Sequence, residues 1–389
     1  MMFSKYNEFT MKSMTLFYAA FLFFLPLVGG FSKVNNTFHI ALILSIFFLS
    51  YNKKTRDAIF NTTKFNTGLI VIFSLLFYFS LSGLWSGNSG SVISEITHSI
   101  YIVFFIIIFS IVSFHGKKNV MLATIFSSIV ILCLLTFIYV DKQTLLRSRL
   151  ENGFSLAPEN VIDMAGYYGI GIFCGLILLR ETGKKWLYLP IALLFVAMLL
   201  TQSRGPLFSL VIALAPLMLL LKRLQRKDWL IIGVILVILA LAMMFSNGYD
   251  VLSARIEKSY SQSFTRFGIW ENALSYVQQK PWFGWGFGQE LDFVNAIGQR
   301  VHTTHSLYLA ALLKGGIVGG LLLLAVIVYG FYMGWMHVKE NQAIEASMFV
   351  FGLIFYATQG MFLLSNPSVP WVMFWLPLAV VMSLPKRQS

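Results

Sequence analysis

The 389-residue chain has a mean hydropathy of +0.75, with 57% hydrophobic and only 12% charged residues. Soluble globular proteins carry about twice that share of charge. The composition therefore excludes an ordinary soluble protein and indicates a membrane protein with several spans. Its 37 Phe, 9 Trp and 16 Tyr residues fit lipid-facing helices flanked by aromatic belts.

Twelve apolar segments follow one another along the chain, and each is predicted to form a transmembrane helix. They cover residues 15–31, 35–51, 66–84, 96–114, 119–140, 163–179, 186–200, 206–221, 229–246, 313–336, 342–364 and 370–384. The first segment follows Lys5 and Lys12, has full membrane-span length and is not followed by a small-x-small cleavage site, so a helix is favoured over a signal peptide. Residues 1–389 are thus expected to form one all-α integral membrane domain of about twelve transmembrane helices.

The distribution of the +13 net charge predicts the orientation. The bases come in short groups between apolar runs, as in topology signals, which argues against a nucleic-acid partner. One set of loops holds 18 bases and 6 acids, and the other holds 11 bases and 10 acids over much longer loops. The positive-inside rule places the first set and both termini in the cytoplasm. Cys133 and Cys174 lie within apolar runs and say little about the compartment.

Two long loops, about 141–162 and 247–312, are then expected to face outward. The second is predicted to be a periplasmic loop between helices nine and ten, with two helices that carry candidate catalytic residues. The first of these helices shows apolar residues at positions i, i+3, i+7 and i+10, namely Phe267, Trp270, Leu274 and Val277. The aromatic stretch "PWFGWGFGQE" after it fits the headgroup region, and the second helix is expected to begin near Thr303 or Thr304.

Two outward arginines are candidates for function. Arg204 is predicted to lie in the tight turn between helices seven and eight, with Gly205 ending the first helix and Pro206 opening the second. A structural alternative is a cation favoured at a helix C-terminus, or one reaching lipid phosphates. Arg266 stands one turn before Trp270, and its alternative is a contact with headgroups or water.

Two outward histidines, His302 and His305, would share a helix face if both were helical. A metal pair is conceivable, but two histidines without a carboxylate ligand are a weak zinc signal. We therefore predict no metal and no cofactor. Asp163 and Glu345 lie near span ends, and no span carries a clearly buried carboxylate of the kind that proton-coupled transporters use.

Two arginines and one histidine on the outer face suit one type of reaction. Arginine binds phosphate oxygens through a planar, permanently charged fork. A neutral histidine can take a proton from a hydroxyl group. Together they fit attack of an acceptor hydroxyl on a carbon that bears a diphosphate, and no pair of carboxylates is needed because the diphosphate leaves as a stable anion.

The order of short motifs is similar to that of a known family. An outward "SRG" is followed by "R-x-x-x-W", by "P-W-F-G-W-G" and by "H-S-L-Y-L-x-x-L-L-K-G-G-I-V-G" before the tenth span. This order resembles the O-antigen ligase and polymerase superfamily, which includes bacterial O-linked oligosaccharyltransferases. The likeness in sequence rests on residues 201–320. Two positions depart from it: Ser306 stands where Asn is usual, and Lys314 stands where many relatives have an acid.

The resemblance implies roles for the matching residues. Arg204 and Arg266 would hold the diphosphate of the donor, and His305 would be the general base, with His302 as its competitor. Further substrate-binding candidates are His302, Trp270 beside Arg266 and, in the other outward loop, Arg147, Arg149 and Asn160.

The reaction that the resemblance implies is transfer of O-antigen polysaccharide from undecaprenyl diphosphate to lipid A–core oligosaccharide. It would invert the anomeric carbon, need no metal and occur on the periplasmic face of the bacterial inner membrane, among membrane lipids, as a step of lipopolysaccharide biosynthesis. The alternatives are an O-antigen polymerase and, from another class, a polysaccharide or lipid transporter.

Overall fold

A computed structural model describes residues 2–28, 33–87, 92–141, 160–220, 266–295, 297–360 and 362–383, together with residues 90, 150 and 158. The helices there are α1 (Met2–Val28), α2 (Val34–Tyr51), α3 (Lys53–Phe60), α4 (Thr63–Ser82), α5 (Val92–Phe114), α6 (Lys118–Tyr139), α7 (Val161–Thr182), α8 (Tyr188–Thr201), α9 (Arg204–Leu220), α10 (266–279), α11 (Leu307–Lys339), α12 (Ala343–Phe355) and α13 (Leu376–Met382). A π-helical turn at Trp371–Trp375 precedes α13, and short 3-10 turns cover Gly83–Trp85 and Lys185–Leu187.

These helices confirm an all-α membrane protein. Within the described ranges, seven helices are long and apolar enough to cross a membrane, and four further apolar helices are shorter. Eleven of the twelve predicted segments overlap helices, and the ninth, 229–246, lies outside the described residues. One predicted loop contains the short helix α3, which begins where Asn52 Oδ1 accepts the Thr55 amide at 3.0 Å.

The helices enclose an aromatic core around Trp371, which is completely buried. The Phe105 ring of α5 meets it nearly edge-on at 5.1 Å, and the Phe38 ring of α2 does so at 5.2 Å. Edge-to-face aromatic pairs of this kind stabilise a core beyond their buried area. They fix the C-terminal segment between helices from the first half of the chain.

Two buried carboxylates correct the expectation that spans hold none. The fully buried side chain of Glu345 meets Arg180 Nη2 at 2.7 Å and Lys118 Nζ at 3.0 Å. Glu95, which is 3% exposed, lies in the first turn of α5, as Glu345 does in α12. The first turn of a helix favours a negative charge, and the two cations offset the cost of burying Glu345.

Helix α7 connects two different polar clusters. Arg180, near its C-terminal end, joins the ion pairs of Glu345, whereas Asp163 at its other end accepts a hydrogen bond from Gln359. The 17 intervening steps of about 1.5 Å separate these clusters by roughly 25 Å. That distance is close to the thickness of a bilayer core.

The stretch 281–287 packs its backbone into a break in α11, and its position in the headgroup region stays a prediction. The Trp285 and Gly286 amides donate to the carbonyls of Leu313 and Lys314 at 3.0 and 2.9 Å. The Ile317 amide donates in turn to the Pro281 carbonyl at 2.8 Å. Gly316 adopts φ 62° and ψ −161°, and a Cβ on Gly284 would lie 2.5 Å from its nitrogen. Both glycines are needed because the two backbones touch.

Candidate functional site

His305 lies in a turn immediately before α11. Its φ of 49° is left-handed, and its amide donates to Thr303 Oγ1 at 3.2 Å. The helix begins at Leu307, with Ser306 as its N-cap. The predicted helix start near Thr303 is therefore wrong, and His302 and His305 do not share a helix face. Non-glycine residues with a left-handed backbone conformation are often found at functional sites.

Helix α10 presents Arg266 to this histidine. One turn after Arg266, the Trp270 indole Nε1 donates to the Thr304 carbonyl at 2.9 Å. That hydrogen bond joins α10 to the residue before His305. Arg266 is half-buried, and burial lowers the pKa of its guanidinium, which stays charged at neutral pH.

The surroundings of His305 keep its imidazole neutral. Burial is the main cause that lowers its pKa, and the positive charge of Arg266 lowers it further. An interaction with the Gln359 side chain opposes them in part. A pKa below the ordinary value of about 6.5 leaves the ring unprotonated at neutral pH. This is the form that a general base requires.

Arg204 is the first residue of α9, not the end of the helix before it. Helix α8 ends at Thr201, and Gln202, with a φ of 52°, is its left-handed C-cap, so Gly205 and Pro206 both belong to the first turn of α9. A helix N-terminus favours anions. The dipole of α9 therefore gives the Arg204 cation no support.

The start of α9 reaches the same region as His305. A Cβ on Gly205 would lie 3.1 Å from Thr358 Oγ1, and the next residue, Gln359, interacts with His305. The Tyr356 carbonyl accepts the Leu307 amide at 3.0 Å, which fastens this segment to the start of α11. Arg204, Arg266 and His305 thus belong to elements that meet around residues 356–359.

An apolar cavity lies beside the first turn of α11, and Leu307, two residues after His305 in the chain, is one of its lining residues. Leu307 and Ala311 of α11 line it together with Leu75 of α4 and Phe362. Its walls suit a hydrocarbon chain, whereas the neighbouring arginines suit an anion.

The comparisons with known proteins assign this region to a family. A family model described as O-antigen ligase matches residues 189–324. The chain is also 32% identical over 197 residues to an O-antigen ligase of Pseudomonas aeruginosa. The aligned residues make up 50% of this chain and 47% of that protein. Residues 189–324 of this chain therefore match the O-antigen ligase family.

A second relative of this chain is a general O-oligosaccharyltransferase of Acinetobacter baylyi. It is 26% identical over 156 residues, which is 38% of this chain and 26% of that protein. The chain thus spans 47% of the length of the O-antigen ligase and 26% of the length of the oligosaccharyltransferase. Arg204, Arg266 and His305 lie within the segment matched by the O-antigen ligase family, whereas Asp163 and Gln359 lie outside it.

His302 is placed differently from His305. It follows strand β2 (Arg300–Val301), which pairs antiparallel with β1 (Phe293–Val294). Its side chain is 81% exposed, and Nδ1 lies 2.7 Å from an Asp292 carboxylate oxygen. This short hairpin, whose paired residues are Phe293 with Val301 and Val294 with Arg300, was not predicted from the sequence. The turn forms because Gly298 has a φ of 79° and the Asn295 side chain accepts two amides.

The buried face of α10 differs from the predicted stripe. Ile269 and Ala273 are buried, whereas Phe267 and Leu274 are 60% and 49% exposed. Ile269 and Ala273 pack with Leu291, Phe293 and Leu313, and Trp270 and Val277 border this cluster. Residues distant in the chain decide which face is covered, and they cover only the side of the apolar stripe that carries Trp270 and Val277.

Four further residues were predicted to bind substrate, and the structure describes two of them. The Asn160 side chain accepts the Ile162 amide at 2.9 Å and caps α7, while Trp270 makes the bond to Thr304 described above. Arg147 and Arg149 lie outside the described residues. The substrate-binding roles of all four remain predictions.

Gln359 is the residue at this site that the sequence interpretation missed. The predicted eleventh span ran from 342 to 364, but α12 ends at Phe355 and an irregular segment follows. The triplet "TQG" within an otherwise apolar stretch was the available signal, because two polar residues and a glycine favour the end of a helix.

Proposed function

We propose that this protein is a lipid-linked glycosyltransferase that transfers O-antigen polysaccharide from undecaprenyl diphosphate to lipid A–core oligosaccharide. The observation that carries the proposal is the meeting of Arg266 and a neutral His305, near the start of α9 where Arg204 lies. A permanent cation and an unprotonated base are the two groups that this transfer needs.

The proposed step is a single displacement. Arg204 and Arg266 bind the diphosphate oxygens of the donor. The acceptor hydroxyl loses its proton to His305 as its oxygen attacks the anomeric carbon. The bond from that carbon to the diphosphate oxygen breaks, and undecaprenyl diphosphate leaves with the electron pair. Attack opposite the leaving group inverts the anomeric configuration, and His305 then releases its proton to water.

The surroundings are consistent with a lipid-linked donor. The apolar cavity next to His305 offers a place for part of the isoprenoid chain. We place the site on the periplasmic face of the bacterial inner membrane and both termini in the cytoplasm, because the site and the basic Arg180 end lie at opposite ends of α7.

The experiment is a reconstituted transfer. Purified protein in detergent is mixed with glycan-linked undecaprenyl diphosphate and lipid A–core, without nucleotide, and the products are separated by gel electrophoresis and mass spectrometry. We expect glycan joined to lipid A–core and release of undecaprenyl diphosphate. Longer lipid-linked glycans instead would indicate the polymerase alternative. Movement of unchanged donor across the bilayer, when the same protein is reconstituted in vesicles, would indicate the transporter alternative.

A further inference from the structure

The side chain of Gln359 lies between Asp163 and His305. Its Nε2 donates to Asp163 Oδ1 at 3.4 Å, and the residue is only 5% exposed. Its Oε1 is buried without a hydrogen-bond partner among the described residues. The same side chain interacts with the His305 imidazole. A buried acceptor with no partner is costly and calls for an explanation.

We propose that Asp163 and Gln359 are positioning residues that fix the orientation and tautomer of His305. Asp163 holds the amide NH₂, so the amide oxygen faces the ring N–H of His305. The second ring nitrogen then keeps its lone pair for the acceptor hydroxyl. The inference rests on the function proposed above and extends it to two residues outside the family-matched segment 189–324.

The hydrogen-bonding chemistry of the Asp163 carboxylate, the Gln359 amide and the His305 imidazole determines which way the amide is turned. A carboxylate only accepts hydrogen bonds, so Asp163 can bind the NH₂ end of the Gln359 amide but not its oxygen. The oxygen is left for a donor, and a neutral imidazole has one N–H to offer. If the amide were reversed, its NH₂ would meet the ring and select the other tautomer. The bond made by one ring nitrogen thus decides which nitrogen can act as the base.

The backbone around Gln359 supports a fixed position. Tyr356 accepts the Leu307 amide at 3.0 Å, and Thr358 lies against Gly205. Gly360 has a φ of 74°, which ends this turn. The segment is therefore held between the starts of α9 and α11.

The charged and titratable groups around His305 are few in the described part of the chain. Arg266 of α10 acts on it directly, and Gln359 comes from the 356–360 segment. Behind Gln359, Asp163 interacts with the phenols of Tyr167 and Tyr356. A carboxylate placed at 359 would therefore be the nearest new charge to the imidazole.

The test compares Gln359→Met, Asp163→Asn and the double variant Asp163→Asn/Gln359→Glu, in which the new carboxylate faces an amide and not a second carboxylate. The double variant keeps an acceptor and places a negative charge next to the ring, which should raise the pKa of His305 and move the acid limb of kcat/KM up by about one pH unit or more. It should retain activity above that limb. Gln359→Met removes the acceptor and should lower kcat roughly tenfold or more, with KM for the donor unchanged.

A double-mutant cycle tests the connection between the two residues. Asp163→Asn should lower kcat in the wild-type background but add little in Gln359→Met, because both act through the same amide. The matched control is Gln342→Met. Gln342 Oε1 lies 2.7 Å from His337 Nδ1 at the other end of the spans, so its loss should leave the pH profile unchanged. Additive losses in the cycle would contradict the inference.

A readout without substrates separates this inference from the proposed function. The pH dependence of His305 modification by diethylpyrocarbonate, followed by mass spectrometry of peptides, reports its pKa in the purified protein. The midpoint should rise in Asp163→Asn/Gln359→Glu and stay unchanged in Gln342→Met. An unchanged midpoint in the double variant would overturn the positioning role even if transfer occurs. A raised midpoint in a protein without transfer activity would support it and reject the proposed function.

Discussion

The indole of Trp270 and the carbonyl of Thr304 are joined by a 2.9 Å hydrogen bond across 34 residues of chain. This bond fixes the helix that carries Arg266 beside the turn that carries His305. A tryptophan that sequence analysis assigned to substrate binding thus also holds two functional elements together.

The first prediction tests this bond. Trp270→Phe keeps an aromatic ring but loses the donor, so kcat/KM for glycan transfer should fall about fivefold, as for loss of about 1 kcal/mol. Trp282→Phe is the matched control, because Trp282 is 64% exposed. Equal effects of the two substitutions would show that the indole bond does not position the site.

The second prediction concerns the two arginines. Arg204→Ala and Arg266→Ala should each lower transfer by roughly 30- to 1000-fold, because each removes a charged hydrogen bond worth on the order of 2–4 kcal/mol. Lysine should restore little, since it lacks the bidentate fork. Arg300→Ala is the control: its side chain is 80% exposed and lies 3.9 Å from Asp292. Normal transfer by Arg204→Ala at normal protein level would exclude its role in donor binding.

The third prediction concerns orientation. In a background in which the buried Cys133 and Cys174 are replaced by alanine, Ile297→Cys on the exposed hairpin turn should react with an impermeant thiol reagent added outside spheroplasts. Glu340→Cys, exposed in the turn between α11 and α12, should react only after the membrane is opened. The reverse pattern would place the site in the cytoplasm.

Local sequence predicted the helices well because long apolar runs leave few alternatives in a membrane. It also selected Arg204, Arg266 and His305, whose charge or proton affinity stands out between apolar spans. Features set by distant contacts were not accessible in this way. The turn at His305 is held by the bond from the Trp270 indole to the Thr304 carbonyl, 34 residues away in the chain. The break at Gly316 depends on the backbone of residues 281–286.

The fourth prediction separates the two histidines. His305→Ala should lower kcat by about 10²- to 10⁴-fold while donor binding, measured with labelled lipid-linked glycan, is retained. His302→Ala should keep most of the activity, since His302 is exposed and paired with Asp292. EDTA should change neither protein's rate. Greater loss from His302→Ala than from His305→Ala would exchange their roles.

The last prediction is the pH dependence of transfer. Burial and then the charge of Arg266 lower the pKa of His305, so the imidazole takes up a proton only below its ordinary value of about 6.5. Because the base acts unprotonated, kcat/KM should stay level as the pH falls to about 6.5 and decline only at lower pH. Arg266→Gln removes a positive charge from the surroundings of the ring. The residual activity of this variant should therefore decline at higher pH than that of the wild type, whereas Arg300→Ala should keep the wild-type profile. An acid limb in the wild type above pH 6.5, or no movement in Arg266→Gln, would show that the titrating group is not a histidine beside Arg266.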